Sequence, residues 1–355
     1  MLSSFCILLK CIFFMALEVV QDLIDMSENH MNVQWVGDNS RLDTPLADFD
    51  ALIWSAHSTP PVNKPMPYLD PDLQQFFRTE AGKALLTFGH IRGDVGADEI
   101  SEVTMKRLRN VHGFNPLILS PAMGGRTLRD HNRFLTHEDV RLFPVPKDLE
   151  LKLDTAYNHT MDTLFAYMSE FRDRLRLVIQ PHTMGSGGFN NERVQKLFDD
   201  HAQIALLADT DFDEYQRRVV AHVSEWDDVY TDGCTNGPAR PDVDILTGVQ
   251  DVPGQPLRPL PDGGFGEHLQ REFRAIGIEG QFNKPFSHQP GFPGTRLAEM
   301  AAEAGVPQVT FDLAKRHLVS KGVEFRASTF EPDGGQAIAI GAKVAWAALW
   351  AAKEV

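Results

Sequence analysis

Six short apolar runs punctuate the chain: ALIWSAH at 51–57, ALLTFGH at 84–90, PLILS at 116–120, LRLVIQPH at 175–182, VDILTG at 243–248 and VPQVTFDL at 306–313. Most of the stretches between them carry helical spacing. Such alternation requires a sheet whose apolar faces are covered by the intervening helices. The expected fold class is therefore α/β, in three layers, with a mostly parallel or mixed sheet and helices on both faces. Ile100, Val103, Leu108 and Val111 share one helical face that Gly113 closes. Tyr157 to Phe171 and Thr295 to Ala304 read the same way, the second closed by Gly305.

Two regions break the rhythm. Residues 190–225 give two helical patterns in succession, the second around Phe212, Val219, Val220 and Val223, with no strand between them. They predict a helical, loop-rich insertion at about 190–240 within a single domain covering 41–355. Residues 226–264 are rich in Asp, Gly and Pro, which predicts long loops beside a site. The last segment, with Trp346, Leu349 and Trp350, predicts a docking helix whose tryptophans could equally form a homo-oligomer contact. Residues 1–40 read as an N-terminal extension that need not be fully ordered. Its apolar start is broken by Lys10 and lacks a charged leader and a small-residue cleavage site, so neither a signal peptide nor a membrane span is expected. Met15, Met26 and Met31 offer later starts.

Charge and cysteines narrow the function classes. A formal charge of −15 argues against a nucleic-acid partner, which needs clustered Lys and Arg to displace counterions. The three cysteines, Cys6, Cys11 and Cys234, have no CxxC spacing. That excludes a disulfide framework and a thiolate metal site, and points to the reducing cytoplasm.

The run at 175–182 ends on His182, and the run at 51–57 ends on His57. Ligands of open α/β sheets collect beyond the carboxyl ends of strands. Asp94, just before a predicted helix, could reach the same crevice and complete a set of two histidines and one carboxylate with an open coordination position. On spacing alone each residue has an ordinary explanation, because a strand-end histidine is often structural and Asp94 could cap the helix.

Four segments, in order, resemble patterns of the N-formylglutamate amidohydrolase family. HIRGDVGA at 90–97 resembles H-x-x-W-D-x-G-A, and GRTLRDHNRF at 125–134 resembles S-R-L-x-x-D-x-N-R-P. FNKPFSHQPG at 282–291 is similar to N-x-P-Y-S-G, and VPQVTFDLAKRHLV at 306–319 to G-x-x-x-x-E-I-R-x-x-L. The resemblance spans roughly 50–320, with 190–240 fitting poorly.

The resemblance implies a phosphorylase/hydrolase-like fold, related in architecture to zinc carboxypeptidases and aspartoacylases. It also implies hydrolysis of an N-formyl or N-acyl amino acid by water that Zn²⁺ or another divalent metal activates. His57, Asp94 and His182 match the metal ligands. Arg126, Asn132, Arg133 and Asn283 match positions expected to anchor a small substrate through its carboxylate. Asp312 stands where the family has the glutamate that moves a proton. It is one methylene shorter, about 1.5 Å of reach, which leaves Glu99 as an alternative base. His131 replaces an apolar residue, His288 replaces a glycine, and Arg316 is displaced from the expected arginine. The shorter Asp312 and the insertion also fit an inactive relative or a small-molecule binding protein. Two histidines and a carboxylate serve non-haem iron oxygenases as well.

Overall fold

The computed structural model describes residues 31–35, 48–58, 70–121, 126, 128–135, 143–188, 191–252, 254–290 and 292–354. Residues 1–30, including Cys6, Cys11 and the apolar start, lie outside the described residues. The strands are β1 (Met31–Trp35), β2 (Ala51–Trp54), β3 (Pro116–Pro121), β4 (Leu177–Met184), β5 (Val243–Leu246), β6 (Gly248–Val249), β7 (Arg258–Pro259), β8 (Gly280–Phe282) and β9 (Gln308–Ala314). The helices are α1 (Pro71–Phe76), α2 (Glu80–Arg92), α3 (Ala97–His112), α4 (Lys147–Phe171), α5 (Asn191–Ala208), α6 (Phe212–Asn236), α7 (Phe265–Arg274), α8 (Pro293–Glu303) and α9 (Gly334–Glu354).

Seven strands form one sheet in the order β1-β3-β2-β4-β9-β5-β8. The central β3, β2, β4 and β9 run parallel, while β1 and β5 pair antiparallel to β3 and β9. Strand alternation divides the apolar residues between two faces. Ala51, Ile53, Leu177, Ile179, Val309, Phe311 and Leu313 pack with α3, α7 and α9. Leu52, Trp54, Leu117, Leu119 and Val178 pack with α4 and α8. The three-layer α/β expectation holds, with a mixed, mostly parallel sheet.

Several details differ from the sequence reading. The run 84–90 is helical, inside α2, because Thr79 caps the start by accepting from Gly82 N–H and buried Ala81, Leu85 and Phe88 repeat at helical spacing. A seven-residue window is too short to separate that period from a buried strand. Helix α6 continues to Asn236, so the polar stretch read as loop begins only at Gly237. Strand β4 runs two residues past His182. Met31–Trp35, inside the stretch read as an extension, adds an antiparallel strand at the sheet edge. Among the described residues no helix is long and apolar enough to cross a membrane.

The two successive helices, α5 and α6, form a hairpin whose apolar cluster includes Leu85 and Phe88 of α2. Its centre holds two imidazoles, His201 and His222, 4.9 Å apart between Phe143 and Trp226. The Trp226 indole donates to His222 Nε2 at 3.1 Å, which requires that nitrogen to be unprotonated. Burial pushes His201 down to about 3 and His222 down to about 4. Because both folded values lie below the unfolded value, the stability they contribute is fully present above about pH 6.5 and is lost as pH falls toward 4. For His222 alone the loss reaches about 3 kcal/mol. Thermal melts from pH 7 to 4 should show the decline, and His201→Phe should flatten it. Identical pH slopes for the two proteins would remove His201 as a cause.

Candidate metal centre and reaction cavity

Strands β2 and β4 are neighbours, and the chain runs on from β2 to β3 on one side of them and from β4 to β5 on the other, so a crevice opens between their carboxyl ends. His57 follows β2 by three residues, and His182 lies near the carboxyl end of the parallel β4. Asp94 comes from the turn between α2 and α3, where its N–H donates to the His57 carbonyl at 3.0 Å. That turn depends on Gly96, whose φ of 100° favours glycine and whose missing Cβ would meet Leu318 Cδ1 at 2.3 Å. Gly96 itself is the N-cap residue of α3 and no side chain caps the helix, so the Asp94 carboxylate turns to the histidines instead.

Asp94 Oδ2 lies 2.7 Å from His182 Nδ1 and 3.1 Å from His57 Nδ1. All three residues are buried, and their potential ligand atoms lie within 4.8 Å of one another, close enough to hold one metal ion. His57 Nε2, the ring's far nitrogen, meets Asp130 Oδ1 at 2.7 Å. Arg126 closes the back of the cluster, with Nε 3.3 Å from Asp130 Oδ2 and Nη1 3.9 Å from Asp94 Oδ1. Two imidazole nitrogens and a carboxylate oxygen form a donor set suited to zinc and other divalent first-row ions. A carboxylate on the far nitrogen of a ligating histidine fixes its ring and tautomer. The residues present therefore fit a divalent metal.

Three carboxyls, buried Asp94 and Asp130 and half-buried Asp312, respond differently to this setting. Burial opposes ionisation of Asp94, but the two imidazoles outweigh it and hold the carboxyl well below its ordinary range. Asp130 is likewise held low, with Arg126 and then His57 overcoming burial. Asp312, cross-strand from His182, is instead pushed up by burial and the nearby Asp94 charge, against the opposing pull of His182. Its carboxyl makes no hydrogen bond with another described residue. A group of this kind takes and gives a proton more readily than its ionised neighbours.

The cluster opens into a cavity of about 260 Å³ with a cationic wall of Arg92, Arg126, Arg133, Arg240 and Lys315. The Arg133 guanidinium lies 4.0 Å from the Phe292 ring centre, and Nη1 donates to the Asn132 carbonyl at 2.9 Å. Lys315 is buried, which lowers its pKa, and its ammonium donates to the Gly93 carbonyl at 2.8 Å. Arg92 lies over the rings of Phe88, Phe198 and Trp226 at 5.6–5.7 Å. Phe198 and Trp226 bring the helical hairpin to the cavity through that contact.

The structure gathers His57, Asp94, His182, Arg126, Asn132, Arg133 and Asp312 around one cavity. Asn283 is not among them. Its backbone has φ 54°, and its side-chain oxygen accepts from Thr247 and Gly248 N–H at 3.0 Å each, while its amide donates to Thr247 Oγ1 at 3.1 Å. That corrects the expectation of a substrate anchor, since the side chain instead holds the link after β5. Glu99 is exposed on α3 and lines no part of the cavity, which removes it as the alternative base. Arg316 clamps Asp242, Ser186 and Arg240, and buried His131 packs on Tyr157. Asp130, Arg92 and Lys315 were missed as functional residues. Asp130 matches the aspartate of the quoted S-R-L-x-x-D-x-N-R-P pattern, whereas nothing in sequence places Arg92 or Lys315 on the same wall.

No family model and no curated protein match the chain. Solved structures similar to it include a gene product of Agrobacterium tumefaciens, 13% identical, covering 89% of this chain and 92% of that one, with a TM-score of 0.44. They also include the N-formylglutamate amidohydrolase of Ralstonia eutropha, 12% identical, covering 90% of this chain and 97% of that one, with a TM-score of 0.46. These are distant likenesses of chain course.

Proposed function

We propose that the chain is a zinc-dependent amidohydrolase that cleaves the amide of a small N-formyl or N-acyl amino acid. The observation that carries this reading is the buried His57, Asp94 and His182 set at the base of a cationic cavity, beside a separate, half-buried carboxyl, Asp312. The four ordered segments that resemble N-formylglutamate amidohydrolases support an amide as the bond broken. A divalent ion held by the three ligands supplies Lewis acidity toward a carbonyl and toward water. Asp130 and Arg126 hold His57 and Asp94 in place. Asp312 takes a proton from the attacking water and passes it to the leaving amine. Arg133 and Asn132 face the cavity from one loop and anchor the substrate carboxylate.

A panel of formyl, acetyl and succinyl amino acids, offered to zinc-loaded and to chelated protein, tests the proposal. Hydrolysis that depends on the metal supports it. Tight binding without turnover would favour a binding protein, and oxygen uptake with ferrous iron an oxygenase. Within an active panel, Arg133→Ala should lower kcat/KM by the equivalent of about 2–3 kcal/mol, typical of a lost charge-assisted hydrogen bond. Carboxamide analogues should be poor substrates for the parent enzyme and insensitive to the substitution. Equal rates on an acid and its carboxamide would assign Arg133 another role.

A further inference from the structure

Beside Asp312 lies a smaller chamber of about 40 Å³ that adjoins the reaction cavity, sharing Asn132, His182, Leu246, Ser287, Phe292 and Asp312 with it. Strand alternation creates it. On β4 and β9 the apolar residues Leu177, Ile179, Val309, Phe311 and Leu313 face one way, which sends Gln180, His182, Thr310 and Asp312 to the other face. The register sets Gln180 opposite Thr310 and His182 opposite Asp312. His288, from the segment after β8, closes the chamber from the third side.

Three of these side chains are at least nine-tenths buried, with exposures of 0% for Gln180, 3% for Thr310 and 3% for His288. Each carries a polar atom that makes no hydrogen bond with another described residue: Gln180 Oε1, Thr310 Oγ1 and His288 Nε2. Their orientations are fixed from behind. The Gln180 amide donates to the Gly294 carbonyl at 3.0 Å, and His288 Nδ1 lies 3.4 Å from Thr295 Oγ1. Turning the Gln180 amide to satisfy its oxygen would set two carbonyl oxygens against each other. Gly294 keeps the space open, because a Cβ there would come within 2.8 Å of Asn132 Oδ1 and 3.0 Å of Gln180 Oε1.

We propose that this chamber is a water-binding site built into the fold, whose ordered molecules join Asp312 to Gln180, Thr310 and His288. A buried water needs about 10–15 Å³ and two to four polar partners, so the space admits up to about three molecules with partners to spare. The walls select water over other small ligands. A carbonyl oxygen needs a donor, a hydroxyl offers both roles, and the carboxyl of Asp312 needs a donor when ionised and an acceptor when protonated. An uncharged molecule that both donates and accepts satisfies all of them. The water gives the Asp312 carboxyl the partner that no described residue provides, and so fixes its side chain at the edge of the reaction cavity. The inference is independent of the reaction proposed above.

High-resolution crystal structures of the wild type, Thr310→Val and Thr310→Ser test it, together with their melting temperatures. The wild type should show ordered water bonded to at least two of the three atoms and to Asp312. Thr310→Val keeps the shape but removes the hydroxyl, so it should lose a water and lower Tm by about 1–3 °C. Thr310→Ser should keep the water. A dry chamber in the wild type, or an ion or organic molecule in it, overturns the proposal. So does a higher Tm for Thr310→Val, the sign expected when an unsatisfied hydroxyl leaves a dry cavity.

Discussion

Replacing Asp312 with Asn should lower kcat by about 10²–10⁴ while leaving the bound metal in place. The amide keeps the shape of the side chain but cannot accept a proton. Asp312 is pushed up by burial and by Asp94, and its carboxyl makes no hydrogen bond with another described residue. That combination argues against a structural role, since a capping or pairing aspartate would show its partner. Thermal stability should therefore hold or rise in the variant, as it does when a strained functional group is removed. Measuring kcat, metal content and Tm on one preparation separates the alternatives. Unchanged kcat with a lower Tm would make Asp312 structural and move the base elsewhere.

The second large effect concerns the metal. His182→Ala removes one of three ligands and should weaken zinc binding by several orders of magnitude. Asp130→Asn leaves the ligand set intact but weakens the hold on the His57 ring, which it meets at 2.7 Å. Loss of such an outer carboxylate lowers metal affinity by about 10–100-fold. Competition against a chelator of known affinity ranks the variants, with circular dichroism to confirm folding. Equal affinities for Asp130→Asn and the wild type would show that Asp130 serves only to neutralise Arg126.

The cluster was legible because its residues lie at or near strand ends, where the fold class alone brings them together. The runs ending at His57 and His182 become neighbouring parallel strands, so their carboxyl ends share one edge of the sheet. Asp94 was legible as a carboxylate near that edge, although its alternative as a helix cap was settled only by Gly96 taking the cap position. Asp130 lay within a quoted segment but went unread, because its role depends on the far nitrogen of His57, which spacing does not reveal.

Other parts had no local signal. The run 84–90 was ambiguous because a buried helix and a buried strand look alike over seven residues. Asn283 resembled a substrate anchor by type and segment, but its left-handed backbone turns the amide back to the Thr247 and Gly248 N–H groups. The cationic wall draws Arg92, Arg126 with Arg133, Arg240 and Lys315 from four places in the chain. A chain with an overall charge of −15 gives no hint of such a pocket, because net charge averages over the whole surface.

Calorimetric titration of chelator-stripped protein with zinc tests metal dependence most directly, with each titrated sample then assayed for amide hydrolysis. One ion should bind per chain, and hydrolysis should rise in proportion to the sites filled, with neither seen in His182→Ala. Absence of binding by a folded wild type, or hydrolysis that proceeds at full rate in the stripped protein, would contradict it.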